Sequence, residues 1–570
     1  MFWAKYSRIV FKPIALTAMF LIMLIWLYSA FAPIVRESLQ WRVRSSVYVE
    51  SELARLSTLV TFLTGVFRGD LGISFRTQAA VSTELGERLP VTLLLIGLST
   101  ALALITEVIA VLIASFWKPT SRKPQSFMHS LRNYLFGLIP FLGFFLILVF
   151  AFELNLLPPG HLFPDYWFVY PPQSLLEEFV GRLQYLVLPS LTLALIFLAR
   201  GIMIVWSGAS PILSEGWSKR FLFSCVAIDF TFTISAVVLV EWVFLLHGLG
   251  YGLFRSVEFG DYNGMIGFFI ALLALAVVLG YVSTLIDFLL RFFGLNEKLE
   301  RKVILELPPS RKKEESIING VKGTLQDLFR SRGFMAGFVI VTIFVLFGIF
   351  APLVAPASPV SAYKRDVWGQ FAYGARSILA LTLPLTISAT LIGFTLGFIG
   401  GYFEGWADNI VMTLIDAILI VPIIPFMIIL PFLTATVLGV GEVWGFSTLW
   451  FLLPFLSAIA AYGFRNTYLM RSRNQKLKGI GLKDAFPDLV RDLFSGFSFT
   501  MMSLVLLLPA VEALHPWHSQ NVSWGSMAHE AWSTAGSFEQ WWLWLVPTVS
   551  IGLFALGFFL LGSALDKRMK

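Results

Sequence analysis

The sequence has few charged residues for its size. Charged side chains make up 14% of its 570 residues, whereas soluble domains carry about 25%. A large soluble core would need a charged surface that this chain lacks, because 57% of its residues are hydrophobic and its mean hydropathy is +0.78. Lipid must therefore replace water around much of the surface, and the composition predicts an integral membrane protein.

Cysteine is nearly absent. The single cysteine, Cys225, excludes an intrachain disulfide framework and a cysteine-based zinc or iron–sulfur site. The sequence has no GxxxxGK[ST] phosphate loop, so it predicts no ATP site of that type. Histidines 515, 518 and 529 fall in one segment, where scattered histidines near the membrane surface explain them more simply than a metal site. We assign the chain no catalytic residue, metal ligand or cofactor of its own.

Long apolar runs dominate the rest of the chain. A membrane-spanning helix needs about 20 apolar residues, and twelve runs approach or exceed that length. Six precede a polar segment near residues 295–332 and six follow it. The runs are Ile14 to Ala32, Val91 to Phe116, Tyr134 to Leu154, Tyr185 to Trp206, Phe221 to Leu246, Met265 to Leu290, Phe334 to Val354, Ile378 to Gly400, Ile410 to Leu438, Phe446 to Phe464, Phe497 to Leu514 and Trp541 to Leu565.

Basic residues indicate the orientation. They cluster at both termini, in the segment 117–133 and in the segment 291–332, which alone holds ten Lys and Arg residues. Twelve spans place these four regions on one side, and the positive-inside rule makes that side the cytoplasm. The net charge of +7 thus reflects topology rather than nucleic-acid binding. We predict a multi-pass protein of the plasma or inner membrane with both termini cytoplasmic.

The polar segment divides the chain into two halves. Residues 1–294 contain six predicted spans and a long outer segment at 33–90, and residues 333–570 contain the other six. Residues 295–332, with Pro308, Pro309 and mixed charges, read as a cytoplasmic linker. Because each half has an even number of spans, the halves are predicted to be parallel repeats. The expected fold is an all-α polytopic membrane protein of about twelve transmembrane helices.

Motifs in the first half resemble a known family. RGDLGISF begins at Arg68, ERLPVTLLL at Glu87 and LPSLTLAL at Leu188, and VEWVFLLHGLGYGLF begins at Val240 and precedes GDYNGMIG. These segments resemble the B-type permeases of the dipeptide, oligopeptide and nickel ABC importers. In that family a B-type subunit pairs with a C-type subunit.

The second half resembles the C-type subunit. LFRSRGFMAGF precedes FAPLVAP at Phe350, RDVWGQFAYGARS begins at Arg365, GGYFEGWADNIVMTLID begins at Gly400 and SWGSM begins at Ser523. The order implies both permeases in one chain, with the fold of a type I ABC importer permease. Implied partners are two cytoplasmic ABC ATPases that bind ATP and Mg²⁺, an extracytoplasmic substrate-binding protein and the lipid bilayer. The implied substrate is a peptide, or in some relatives an oligosaccharide.

The cytoplasmic loops that should dock the ATPases depart from the family. The first half offers only a shortened loop, and the second offers KLKGIGLKDAFPDLVRDLF from Lys476. Either the ATPases have adapted to altered loops, or one half has lost coupling. The candidate coupling residues are Gly216, Ser218, Lys219, Arg220, Gly481, Leu482, Lys483 and Asp484.

Ionisable residues inside apolar spans are costly, by about 2.5–3.5 kcal/mol on insertion scales. Glu107, Glu241 and Glu512 are therefore candidates for the translocation path, and the last two end the fifth span of each half. Further residues match structural positions of the family. These are Asp287, Gly400, Gly401, Asp408 and Asp416.

Two other functions fit parts of the sequence. One is a twelve-span carrier driven by an ion gradient, although the spans show no clear cluster of acidic residues at mid-membrane. The other is a permease-like receptor or scaffold without coupling, which only the altered cytoplasmic loops favour.

Overall fold

The computed structural model describes residues 13–27, 60, 62–116, 139–161, 174, 181–194, 230–292, 329, 331–354, 367–403, 406–438, 450–461, 463–464, 482–514, 522–534 and 541–566. Over these residues the fold is all-helical, as predicted, with one isolated antiparallel bridge between Ile73 and Ala80.

The first half contributes eight helices in the described part. They are α1 (Pro13–Leu27), α2 (62–68), α3 (Val81–Phe116), α4 (Ile139–Leu146, continued by a π-helix over Ile147–Glu153), α5 (181–194), α6 (Phe230–Val243), α7 (Leu249–Glu258) and α8 (Tyr262–Phe292).

The second half contributes nine helices in the same described ranges. They are α9 (Arg332–Ile349), α10 (Ala351–Val354), α11 (Val367–Phe403), α12 (Trp406–Leu419), α13 (Ile423–Leu438), α14 (Trp450–Ala461), α15 (Leu482–Leu514), α16 (Trp524–Thr534) and α17 (Trp541–Asp566).

Among the described residues, six helical segments are long and apolar enough to cross a membrane, or seven if a bent pair counts as one span. They lie in α3, α8, α9, α11, α15 and α17, and the bent pair is α12 with α13. These helices support a multi-pass membrane protein. Each of the twelve predicted spans contains a described helix, but the described parts of α1, α4, α5, α6 and α14 are shorter than a full span. The arrangement of twelve spans in two halves therefore stays a prediction.

The ninth predicted span differs from a single straight helix. It is split at residues 420–422, and its two parts, α12 and α13, are bent by 62°. Pro422 lies in the break, where it can donate no backbone hydrogen bond and its ring opposes a continuous helix. The helices of the second and eighth predicted spans are longer than predicted. α3 and α11 have 36 and 37 residues and so extend well past the apolar runs that predicted them.

The same packing of four helices occurs in both halves. In the first half, α6, the short α7 and α8 contact one another and α3. In the second half, α15, the short α16 and α17 contact one another in the same order, α11 packs on α15 and α16, and α9 packs on α11 and α17. The order along the chain is also the same, with a long helix, a second helix, a short helix and a final span. We call α3, α6, α7 and α8 the first module, and α11, α15, α16 and α17 the second module.

Trp524 fixes the short helix of the second module. Its side chain is fully buried, and its indole N–H donates to the carbonyl oxygen of Phe371 at 3.0 Å. Its ring lies 5.7 Å from that of Phe371, 5.4 Å from that of Phe344 and 6.0 Å from that of Phe554, measured between centroids. A single side chain of α16 thus contacts α9, α11 and α17.

Replacing Trp524 should destabilise the second module. Trp524→Ala would remove a buried ring and leave a cavity, at a cost of about 3–5 kcal/mol. We expect a clear fall in the melting temperature of the purified protein in detergent. Trp368→Ala is the matched control, because Trp368 belongs to α11 of the same module and is 71% exposed. Equal melting temperatures for the two variants would contradict the role given to Trp524.

Candidate functional site

Glu241 lies at the end of α6 and holds the start of α7. Its carboxylate accepts hydrogen bonds from the backbone N–H groups of Gly250 at 2.7 Å and Tyr251 at 3.2 Å. Its other oxygen accepts from the Thr92 hydroxyl of α3 at 2.6 Å, and that hydroxyl in turn accepts from the Leu249 N–H at 2.9 Å. The first turn of α7 therefore has its free N–H groups bonded to side chains of α3 and α6.

This arrangement follows from the chemistry of a helix start. The first N–H groups of a helix have no partner within the helix, and a carboxylate there also complements the helix dipole. Glu241 is 0% exposed. Because both its oxygens are occupied and it faces no solvent, its role in this structure is to bind α7. A role in the translocation path stays a prediction.

Glu512 occupies the corresponding place in the second module but is bonded less completely. Glu512 lies near the end of α15. Its carboxyl group forms a hydrogen bond with the hydroxyl of Ser523, the residue before α16. Within the described residues, Glu512 Oε2 is buried without a hydrogen-bond partner. Helix α16 instead caps itself, because the Ser526 N–H donates to Ser523 Oγ at 3.0 Å and the Ser523 N–H donates to Ser526 Oγ at 3.0 Å.

A glycine sits at the same point of each junction. Gly250 and Gly525 are the second residues of α7 and α16. A Cβ atom on Gly250 would lie 2.7 Å from Cα of Val238, and one on Gly525 would lie 2.6 Å from the carbonyl oxygen of Pro509. Val238 and Pro509 each precede the glutamate of their module by three residues. Each short helix therefore crosses its longer neighbour at an equivalent position, where a side chain would not fit.

Asp261 joins two motifs that are far apart in the sequence. It immediately precedes α8, and its carboxylate accepts from the Gly264 N–H at 3.1 Å, as a helix-capping residue does. The same carboxylate accepts from the Ser74 hydroxyl at 2.5 Å and from the Phe75 N–H at 3.0 Å. RGDLGISF is thus bound to GDYNGMIG, and both belong to the first-half segments that resemble B-type permeases.

The loop that Asp261 holds depends on glycine for its shape. Gly72 has φ +82°, a conformation that side-chain-bearing residues rarely adopt, and a Cβ atom there would lie 3.2 Å from Asn263 Nδ2. The Asn263 amide donates to the carbonyl oxygen of Ile73 at 2.8 Å. Sequence reasoning identified both motifs but not Asp261 as the residue that joins them. An Asp directly before an apolar helix is a capping signal that could have identified it.

Charged groups surround this loop and the start of α7. Arg76 pairs with Glu84 at 2.9 Å, and Arg88 lies 3.9 Å from the same carboxylate, with its guanidinium 5.6 Å from the ring centroid of Phe268. Burial, and then the positive charge of Arg88, lower the pKa of His247, which follows α6. The imidazole of His247 is therefore neutral near pH 7. Within the described residues, no three His, Cys, Asp or Glu side chains form a group that could hold a metal ion.

Other predicted residues fall in several places. Glu107 lies in α3 and Asp287 in α8, but their side chains are outside the described part. Gly216, Ser218, Lys219, Arg220 and Gly481 are outside it altogether. Leu482, Lys483 and Asp484 form the first described turn of α15, and their coupling role stays a prediction.

The predicted structural positions at the α11–α12 turn come together. Gly400 and Gly401 are buried near the end of α11, and Asp408 lies in the first turn of α12. A Cβ atom on Gly400 would lie 3.4 Å from Asp408 Oδ1. Asp416 is half-buried further along α12. Gly400 and Asp408, on the two sides of the turn, thus lie within ordinary van der Waals distance, and the structural role of these positions stays a prediction.

Comparison with protein families gives one match. Residues 322–371 match the model of the N-terminal transmembrane domain of oligopeptide transport permease C. The matched segment contains α9 and α10 and reaches the first residues of α11. Among curated proteins, none matches the chain. The family match supports a permease of the peptide ABC transporter class, and so a transport subunit rather than an enzyme.

Removing Asp261 should release the loop that it holds. Asp261→Ala leaves the Ser74 hydroxyl and the Phe75 N–H without their acceptor. One hydrogen bond to a charged group contributes about 1.5–3 kcal/mol, so loop opening should rise at least about tenfold. We expect trypsin to cleave after Arg76 correspondingly faster in the folded protein. Asp70→Ala is the control, since Asp70 is exposed in the same loop and, among the described residues, accepts a side-chain hydrogen bond from the Gly72 N–H alone, at 3.2 Å.

The two junction glutamates should respond differently to the same substitution. Glu241→Ala leaves the Gly250 N–H, the Tyr251 N–H and the Thr92 hydroxyl without their acceptor, at about 1–3 kcal/mol each. Glu241→Gln replaces one of the two accepting oxygens with an NH₂ group that cannot accept. Glu512→Gln replaces a carboxyl that has one unpartnered oxygen. We therefore expect the melting temperature to fall strongly for Glu241→Ala and measurably for Glu241→Gln, and to stay unchanged or rise for Glu512→Gln. A larger loss for Glu512→Gln than for Glu241→Gln would show that this description of the junctions is wrong.

Proposed function

We propose that the chain is the membrane-spanning permease of an ATP-driven ABC importer that takes up peptides or a similar small solute. The family match at residues 322–371 carries this proposal. It covers the segment in which the motifs that resemble a C-type permease begin, and this agreement supports a C-type half that starts there.

The position of the match also favours a fused protein. A domain that is N-terminal in permease C lies in the middle of this chain, after more than 300 preceding residues. Those residues contain B-type motifs and a module that packs like the second one. We therefore assign residues 1–294 to a B-type half, 295–332 to a cytoplasmic linker and 333–570 to a C-type half.

The proposed mechanism places separate ATPases on the cytoplasmic side. They would bind ATP and Mg²⁺, while an extracytoplasmic binding protein would deliver the solute to the opposite side. Helix α15 offers a direct mechanical connection between the two sides. It is continuous over 33 residues, about 50 Å, from the candidate coupling residues at Leu482 to the Glu512 junction with α16. A displacement of its first turn would therefore move the short outer helix as well.

This proposal predicts a strict requirement for partners. Uptake into proteoliposomes should need the chain, both ATPases, ATP and the binding protein, and the binding protein should stimulate ATP hydrolysis. The measurements are solute uptake and phosphate release, with omission of each component as the control. Uptake by the chain alone under an ion gradient would favour a carrier. Solute-dependent assembly without hydrolysis or uptake would favour a receptor.

A further inference from the structure

Helix α13 is buried on all sides over the residues after Ile423 whose burial the structure describes. Every residue from Ile424 to Pro431 is buried, which is more than two helical turns. The preceding helix α12 differs, because Ile410 and Leu414 are 50% and 59% exposed while Met412 and Ile415 are buried. A helix that is apolar and buried all round lies inside a protein. After the 62° bend, the chain therefore passes from the surface into the interior.

The elements around α13 come from both halves. It contacts α6, α7 and α8 of the first half and α15 of the second. Phe426 shows this position most clearly. Its ring centroid lies 5.6 Å from that of Trp26 in α1 and 5.1 Å from that of Phe455 in α14. Helix α13 thus fills the boundary between the two modules.

The start of α13 has the features of a hinge. Residues 420–422 join two helices without continuing either, and Pro422 prevents the break from closing into a regular helix. Such breaks between rigid helices can absorb large changes in φ and ψ. Ile420 also packs closely on the first half, since a Cβ atom on Gly280 would lie 2.7 Å from Ile420 Cδ1. A rotation at the break would separate α13 from the first half.

The apolar side chains of α13 make it a barrier to a polar solute. Every residue from Ile420 to Pro431 is apolar. A peptide carries backbone and terminal polar groups, and transferring such groups into apolar surroundings without hydrogen bonds is costly. If the solute crosses between the halves, it cannot pass while α13 fills the boundary.

We infer that α13 is the gate of the solute path, that it moves about residues 420–422, and that the path runs along α13 between α6 and α15. This inference rests on the proposed import function and adds the location of the path and the segment that closes it. The gate belongs to the second half, so the two halves contribute unequally to closure.

Thiol labelling during turnover tests the gate. In a Cys225→Ala background, Phe426→Cys places the single thiol on α13, where Phe426 is 3% exposed. The complete assembly with ATPases and binding protein is treated with a membrane-impermeant maleimide, at rest and during ATP-driven uptake. We expect labelling to rise about tenfold or more during turnover, since an alternate state populated at ~10% or less at rest becomes frequent. Phe554→Cys is the control, because Phe554 is 0% exposed and lies within the second module.

The outcomes separate the gate from the proposed function. A rise at position 426 without a rise at 554 supports the gate. Uptake that proceeds while both positions stay unlabelled, or are labelled equally at rest and during turnover, overturns the gate and leaves the importer intact. A complete assembly that neither hydrolyses ATP nor takes up solute overturns both.

A reversible cross-link provides a second measurement. In the Cys225→Ala background, a short bis-methanethiosulfonate reagent joins Trp26→Cys to Phe426→Cys across the boundary through two disulfides, with release of methanesulfinate, and a reductant cleaves the link. We expect uptake to be lost on cross-linking and restored on cleavage, because α13 can no longer leave the first half. The matched pair is Phe394→Cys with Phe464→Cys, whose rings lie 5.2 Å apart within the second half. Uptake that survives a complete 26–426 cross-link would contradict the gate.

Discussion

A helix that begins away from bulk water must have its first N–H groups bonded by the protein. This constraint governs both modules, because α7 and α16 are short helices that start against the ends of longer ones. In the first module, Glu241 and Thr92 supply the acceptors. In the second, α16 uses its own serines, and Trp524 provides the attachment through a buried aromatic cluster. Side chains of neighbouring helices thus bond the first N–H groups in one half, and the serines of the short helix itself bond them in the other.

The two halves also differ in how their helices are joined. The first module is tied by directional hydrogen bonds at Glu241 and again at Asp261, which also holds the loop around Gly72. The second half contains the continuous helix α15 and the bent pair α12 and α13, and its Glu512 has an oxygen without a hydrogen-bond partner among the described residues. This asymmetry agrees with the proposal that one half carries the gate.

The membrane helices and the order of the two halves could be predicted from the sequence, because they follow from the length of the apolar runs and the order of the motifs. Apolar runs in a chain with so few charges predicted membrane helices, and six or seven helical segments of suitable length occur in the described part. The motif order predicted where a C-type permease begins, and the family match falls there. Local detail was predicted less completely. The size of the 62° bend at residues 420–422 and the extension of α3 and α11 past their apolar runs were not predicted, because helix length and direction are set by packing as well as hydropathy.

The sequence by itself determined the membrane environment, the helical class and the positions of the motifs, since these depend on side-chain polarity and on residues close together in the chain. It also identified Glu241 and Glu512 as unusual, because a carboxylate in an apolar run is costly wherever it lies. Only the tertiary structure decided what those residues contact, that Asp261 joins two distant motifs, and that α13 is surrounded by both halves. Such contacts depend on which surfaces meet in space, and the polarity of a residue does not specify its neighbours.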